Sequence, residues 1–322
     1  MNKINILVSA ISGDVANGIL KCLQNYEHVK KIIGCDIYQY PCGLNKVTKF
    51  YKISPCIQEQ IYLNELLDIC SKENIDLFIP TNEFEIYCIS KNRGLFFEKG
   101  IKLLIHPKIV YEIFFDKYNT QKKLQQLNLP YIPTYFADEY NQCLNFPIVV
   151  KDIFNSGSKN IRILNDASEM RKHDNLTHNQ IVQPYIGTMD QEYTVPVFSF
   201  NDGSSIACIP FRRTLSKSGY TNYIEPVSRE LFDKIYSISS VISKTLQLNG
   251  SIDLQMRMHK NELYIFECNP RLSGTVNFRH KLGFQDALWW IDLMFCFNSS
   301  FEFEYPTNFV GVRELNEEIF RT

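Results

Sequence analysis

GSIDLQMRMHKNELYIFECNPRLSGT, residues 250–275, reads as two strands, Gly250 to Met258 and Glu262 to Glu267, joined into a hairpin by the polar turn at His259, Lys260 and Asn261. Along a strand alternate residues share a face, so Asp253 points with Gln255 and Glu267 with Asn269. On facing strands these two pairs form a compact cage of carboxylate and amide oxygens. A cage without histidine or thiolate suits a hard cation, Mg2+. Cys268 lies between Glu267 and Asn269 and is expected on the opposite face, toward the core, which removes it as a ligand. Just downstream, Arg271 offers a planar fork of donors, and the turn Leu272 to Thr275 offers backbone N–H groups. Both suit an anion. The competing expectation is an ordinary hairpin with its polar residues in water.

Upstream, the chain alternates strand and helix signals. Ile4 to Ser9, Lys31 to Asp36, Asp76 to Pro80 and Ile101 to Ile105 are short apolar runs, separated by helical patterns at Val15 to Gln24, Gln58 to Lys72 and Glu83 to Glu98. This alternation predicts an α/β N-terminal domain with a parallel sheet. The turn SAISGDVANG carries Gly13 and Gly18 without the G-x-G-x-x-G spacing, so it is read as a tight strand-to-helix turn and not a dinucleotide site. HPKIVYEIFFDKYNTQKKLQQLNLP, residues 106–130, reads as helix closed by Asn128 and Pro130. Beyond Pro133 longer strands take over, at Phe146 to Asp152, Asn160 to Leu164, Ile181 to Ile186, Glu192 to Phe200 and Ser205 to Arg212. Helices are expected at Ala167 to His173 and Ser228 to Leu246. This mixture predicts an α+β fold for the larger part, with divisions at 1–105, 106–186 and 187–322.

A chain of 322 residues exceeds what one hydrophobic core accommodates, so more than one packed domain is expected. The formal net charge is -1, with basic and acidic residues interleaved, which argues against a nucleic-acid or membrane-surface binder. No uncharged apolar stretch reaches the roughly 18 residues of a membrane span, and the N-terminus lacks a signal-peptide core. The ten cysteines are scattered, with no pair at two-residue spacing. They read as reduced thiols of a cytoplasmic protein, not as a zinc or disulfide framework. No P-loop pattern or kinase catalytic motif occurs, and the six histidines are dispersed.

The pair GSIDLQMR and FECNPRLSGT resembles the Mg2+-binding end of the ATP-grasp superfamily, especially its carbamoyl-phosphate-synthase-like branch of carboxylate-amine ligases. The resemblance extends upstream. Lys117 in FDKYNTQKKL matches the basic residue at a D-K helix start, and Lys151 in FPIVVKDIFNSGSKNIRI matches the basic strand residue ahead of a glycine-serine loop. Gln183, Pro184, Tyr185 and Ile186 fit the adenine-contacting hinge, and Glu192 in QEYTVPV fits the ribose-binding glutamate. These segments occur in family order over about residues 105 to 285, and IPTNEFE, residues 79–85, is similar to what precedes the fold in this branch. The loop with Ser156, Gly157 and Ser158 is poorer in glycine than the family usually is, which predicts slower closure or a weaker grip.

The resemblance implies an ATP-grasp fold, in which two α+β subdomains clasp ATP, with Mg2+ as cofactor and Mn2+ as a substitute. It places Lys117, Lys151 and Ser156 to Ser158 on the phosphates, Gln183 to Ile186 on the adenine and Glu192 on the ribose. Glu267 and Asn269, with Asp253 or Gln255, would hold the metal. Lys151, Arg213 and Arg271 would be catalytic. Arg212 and Arg213 are strand neighbours, so one of them faces the cleft, and Arg213 is preferred. The implied reaction joins a small-molecule carboxylate to an amine through an acyl phosphate, under a lid formed by about Pro133 to Val182. Two other functions stay open at this point: a nucleotide-binding regulatory or scaffold protein without turnover, and a bicarbonate-using carboxylase or carbamoyl-forming enzyme. Thr81, Asn82, Glu83, Ser273 and Arg279 are candidates for the substrate pocket, with structural roles equally open. ALWWIDLMFCF, residues 287–297, is expected to be a core helix, the alternative being a homodimer contact.

Overall fold

The computed structural model describes residues 3–141, 143–154, 160–171, 176–297, 300–314 and 319–320. Three sheets organise them. The first is parallel throughout, in the order Lys49–Lys52, Val29–Asp36, Ile4–Ser9, Leu77–Ile79, Lys102–Leu103. Its central strand, Ile4–Ser9, is buried at every position, as a parallel strand covered on both faces must be. The helix Asp14–Leu23 turns Ala16, Ile19, Leu20 and Leu23 inward at three- and four-residue spacing. The chain winds outward from Ile4–Ser9 through Val29–Asp36 to Lys49–Lys52 and then crosses to Leu77–Ile79 on the other side, so the winding reverses between Ile4–Ser9 and Leu77–Ile79, which places a crevice at the carboxyl ends of these strands.

The second sheet is antiparallel, in the order Glu262–Asn269, Gly250–His259, Glu192–Phe200, Phe211–Leu215, Thr221–Pro226, Gly311–Val312, with Ser205–Cys208 also pairing onto Glu192–Phe200. The third is a smaller antiparallel sheet, in the order Tyr135–Phe136, Gln180–Pro184, Ile148–Asp152, Arg162–Leu164. The α/β start and α+β continuation expected from the sequence are therefore both present.

Two expected helices divide. Residues 106–130 form Lys108–Phe114 and Lys117–Gln126, because extended Asp116 interrupts the first and caps the second. Its carboxylate accepts from the backbone N–H of Tyr118 at 2.8 Å and of Asn119 at 3.0 Å. Lys117 thereby begins a helix. Likewise Glu83 to Glu98 divides at Asn92 into Glu83–Lys91 and Arg93–Phe97. The strand Thr221–Pro226 was not anticipated, since its mixed polar sequence lacks an apolar alternation; pairing with Phe211–Leu215 supplies the order.

The apolar helix Asp286–Phe295 packs into the core, with Ala287, Trp289, Trp290 and Ile291 buried. Trp290 lies against Gly250, where an added Cβ would come within 2.2 Å of the indole. Cys22, Cys35, Cys70, Cys88, Cys208 and Cys268 are buried free thiols. No described helix is long and apolar enough to cross a membrane.

Candidate functional site

The hairpin register decides what the oxygen-bearing side chains can do together. Asp253 stands opposite Asn269, and Gln255 opposite Glu267, with a bulge only after Gln255. Residues directly opposite on antiparallel strands project to the same face, so all four share one side of the sheet. Leu254 stands opposite Cys268 on the other side, and Cys268 is 2 % exposed within the apolar core.

Asp253 is almost fully buried. Its Oδ1 accepts from the Thr194 hydroxyl at 2.7 Å, while Oδ2 is buried without a partner. Gln255 Oε1 accepts from Arg213 Nη2 at 3.1 Å, and Asn269 Oδ1 from Arg271 Nη2 at 3.5 Å. Among the described residues nothing hydrogen-bonds the Glu267 carboxylate. Burial pushes its pKa above the ordinary carboxylate value and nearby Glu83 adds to the rise, although Lys117, Lys151 and Arg271 oppose it. A buried carboxylate oxygen with no donor, a second carboxylate unpaired in desolvated surroundings and two amide oxygens on one face together match the donor set of a divalent hard cation. The residues present fit Mg2+.

Cations approach from the helix Lys117–Gln126 and from the smaller sheet. Lys117, at the start of its helix, donates to the Ile153 carbonyl at 3.5 Å. Lys151 lies on Ile148–Asp152 and is only 7 % exposed. Burial lowers its pKa to about 7; the charge of Lys117 adds to this, Glu267 opposes it, and Arg257 lowers it further. A buried ammonium group whose charge a neighbouring lysine opposes is suited to an incoming polyanion. From the core side, Arg271 Nη1 donates to the Leu272 carbonyl at 2.9 Å, Nη2 donates to Glu83 Oε1, and Nε is buried without a partner. The N-terminal domain thus reaches the site through Glu83.

Glu192 is placed differently from what the resemblance implies. Its Oε1 accepts from Arg213 Nε and Nη2 at 3.0 and 2.7 Å, and its Oε2 from Arg257 Nε and Nη2 at 3.0 and 2.7 Å. Four donors fill the carboxylate, leaving it no ready site for ribose hydroxyls. Arg212 points the opposite way, donating to the Asp190 carbonyl and to Glu225, so Arg213 is the arginine on the face that carries Gln255. The sequence reading missed Arg257. The signal was present, since Arg257 lies two residues beyond Gln255 on the same strand and therefore shares its face.

In the hinge, Gln183 is buried and donates its amide to Thr134 Oγ1 at 2.7 Å, and the Tyr185 N–H donates to the Pro147 carbonyl at 3.0 Å. Pro184 and Ile186 are half-buried beside them. Ser156, Gly157 and Ser158 lie outside the described residues. Of the pocket candidates, Thr81 donates to the Ser9 carbonyl, and Asn82 caps the helix Glu83–Lys91. Arg279 is wholly buried, bound to both oxygens of Asp286 and to the hydroxyls of Ser273 and Thr275, which makes it a structural residue. A cavity of about 430 Å³ beside Tyr26, His280 and Asp292 shares no lining residue with this cluster.

Comparison with known proteins bears on the family and the fold. The ATP-grasp domain family matches residues 114–275, half of the chain, and the PylC-like N-terminal domain family matches residues 6–104. The chain belongs to the ATP-grasp family. ATP with Mg2+ is the cofactor pair of that family. The carbamoyl phosphate synthase large chain of Helicobacter pylori is 25% identical over 154 residues, 43% of this chain and 14% of the relative. An uncharacterized protein of Methanocaldococcus jannaschii is 28% identical over 256 residues, 74% of this chain and 62% of the relative. This ATP-grasp chain therefore spans less than two thirds of the length of these relatives. Among solved structures, the biotin carboxylase domain of 2-oxoglutarate carboxylase from Hydrogenobacter thermophilus superposes with a TM-score of 0.73 at 15% identity, covering 91% of this chain and 70% of the other. An L-amino acid ligase from Bacillus licheniformis gives a TM-score of 0.70 at 14% identity, covering 91% and 75%. At such identities the likeness speaks for the fold alone.

Proposed function

We propose that this chain is a Mg-ATP-dependent ligase that activates a substrate carboxylate as an acyl phosphate for attack by an amine. One observation carries the reading: the Asp253–Asn269 and Gln255–Glu267 pairs share one face of a hairpin, ringed by Lys117, Lys151 and Arg271. In this reading Glu267 and Asn269, backed by Asp253, hold the metal ion, which supplies charge neutralisation at the phosphates when bound. Lys117, from the start of its helix, and Lys151, from the smaller sheet, bind the phosphate oxygens, where compact positive charges suit a triphosphate. Gln183 to Ile186 read the adenine edge.

Phosphoryl transfer asks the protein chiefly to position groups and neutralise charge. Lys151 and Arg213 do so on the nucleotide side. Arg271, with its fork and its orphaned Nε, orients the carboxylate substrate whose oxygen takes the terminal phosphoryl group. Exclusion of water then falls to the smaller sheet, since an acyl phosphate hydrolyses if exposed.

The test is ADP and phosphate release over a panel of carboxylates, bicarbonate included, each with and without a panel of amines. Stimulation that requires both an organic acid and an amine is expected; stimulation by bicarbonate alone, or none by any acid, overturns the ligase reading. Glu267→Gln is expected to weaken MgATP binding at least about tenfold and to abolish turnover. Unchanged affinity and turnover in that variant would mean that the metal is held elsewhere.

A further inference from the structure

Glu83 enters the site from the N-terminal domain. It begins the helix Glu83–Lys91, just after the strand Leu77–Ile79, at the crevice formed by the carboxyl ends of the parallel strands. Its Oε1 accepts from Arg271 Nη2, and the side chain is 11% exposed. Among the described residues no donor engages its second oxygen, Oε2. Glu192, with both oxygens filled by arginines, is the contrasting case.

The surroundings of Glu83 are chiefly acidic. The loops that leave Ile4–Ser9, Val29–Asp36 and Leu77–Ile79, residues 10–13, 37–48 and 80–82, lead into Asp14 and Glu83 at the first and third, and they carry one basic residue, Lys46, whose Nζ donates to the Cys42 carbonyl. Asp14 lies against the turn after Arg271, since a Cβ on Gly274 would come within 2.2 Å of its Oδ2. Lys117, Lys151 and Arg271 stand on the ATP-grasp side. One wall therefore suits phosphate and carboxylate, and the other suits a cation.

We infer that Glu83 is a catalytic residue of the second half-reaction: it receives a primary amine that arrives as its ammonium ion, and it takes the proton released when the nitrogen attacks. The inference rests on the ligase reading and names the class of nucleophile. The ammonium gives up one proton to solvent, and the neutral nitrogen attacks the acyl carbon. The C–N bond forms, the bond from that carbon to the phosphoryl-bearing oxygen breaks, and phosphate leaves with the electron pair. The remaining surplus N–H proton passes to Glu83 Oε2. Arg271, on Oε1, keeps the carboxylate beside the acyl group, and its own Nε is buried without a partner.

The full chain with ATP, Mg2+ and the most stimulating carboxylate of the panel is offered ammonia, ethylamine or L-lysine, whichever yields most amide, and separately hydroxylamine. Hydroxylamine is uncharged at neutral pH and needs no counter-charge on arrival. In Glu83→Gln both products are expected to fall, because hydroxylamine also releases a proton on attack, but amide by about 10²-fold and hydroxamate by less, because only the ammonium ion loses its counter-charge as well, and Glu83→Asp is expected to recover part of the loss. Circular dichroism and urea unfolding establish that both variants fold. An equal fall in both products would make Glu83 a support for Arg271 and overturn the inference, as would an unchanged ratio, or hydroxamate without amide in the unmodified chain. Absence of ADP release with every carboxylate in the unmodified chain would instead sink the ligase reading itself.

Discussion

Arg213 Nη2 bonds Glu192 Oε1 at 2.7 Å and Gln255 Oε1 at 3.1 Å, so one guanidinium ties the strand Glu192–Phe200 to the face shared by Asp253, Gln255, Glu267 and Asn269. Arg257 closes the arrangement from the other oxygen of Glu192. Three neighbouring strands are thereby locked in register by charge as well as by backbone pairing.

Removing Glu192 leaves two arginines without their counter-charge in a largely buried place, where the Glu192 side chain is 4% exposed and that of Arg213 9%. Glu192→Ala is expected to cost about 3 kcal/mol in urea unfolding. Because both oxygens are occupied, Glu192→Gln is expected to weaken ATP and 2′,3′-dideoxyATP by similar factors, which titration calorimetry can compare. A selective loss for ATP would return the ribose role to Glu192.

The proposed phosphate-binding role of Lys151 predicts a link between nucleotide binding and pH. Its pKa of about 7 in the folded chain lies below the value of about 10.4 for an exposed lysine, so the unfolded chain holds the extra proton between those two pH values. Stability therefore rises with pH from 7 toward 10, and is lowest below 7, where the folded chain must carry a buried charge. Lys151→Met is expected to remove this rise in urea unfolding across that range. A bound triphosphate favours the ammonium form, so at pH 8 binding is expected to take up close to one proton. Calorimetry in buffers of different ionisation enthalpy measures the uptake, and Lys151→Met should abolish it.

Arg279 tests the division between structure and site. It is fully buried and gives hydrogen bonds to Asp286, Ser273 and Thr275, while Asp286 also receives the Ser251 hydroxyl. Arg279→Met is expected to destabilise the chain by about 3–5 kcal/mol, as loss of one partner of a buried pair does. Denaturation midpoints check this, and a variant of full stability with impaired substrate binding would restore Arg279 to the pocket.

Much of the metal face was legible in the sequence because strand geometry is local. Alternation along Gly250–His259 and Glu262–Asn269 assigns Asp253, Gln255, Glu267 and Asn269 to one side and Cys268 to the other, whatever surrounds them. The same alternation sends the adjacent residues Arg212 and Arg213 to opposite faces. The cap at Asp116 was also written in the residues, yet it was read as part of one helix, because the apolar pattern on both sides obscures a break that depends on one side chain's hydrogen bonds.

The sequence alone determined the kinds of groups and the face each strand presents, because those follow from side-chain chemistry and a backbone period. Only the tertiary structure decided their partners: Arg257 and Arg213 converge on Glu192, Glu83 comes from a separate domain onto Arg271, and Lys151 loses its water. Charge pairing and desolvation depend on distances between segments far apart in the chain, and no local pattern encodes those distances.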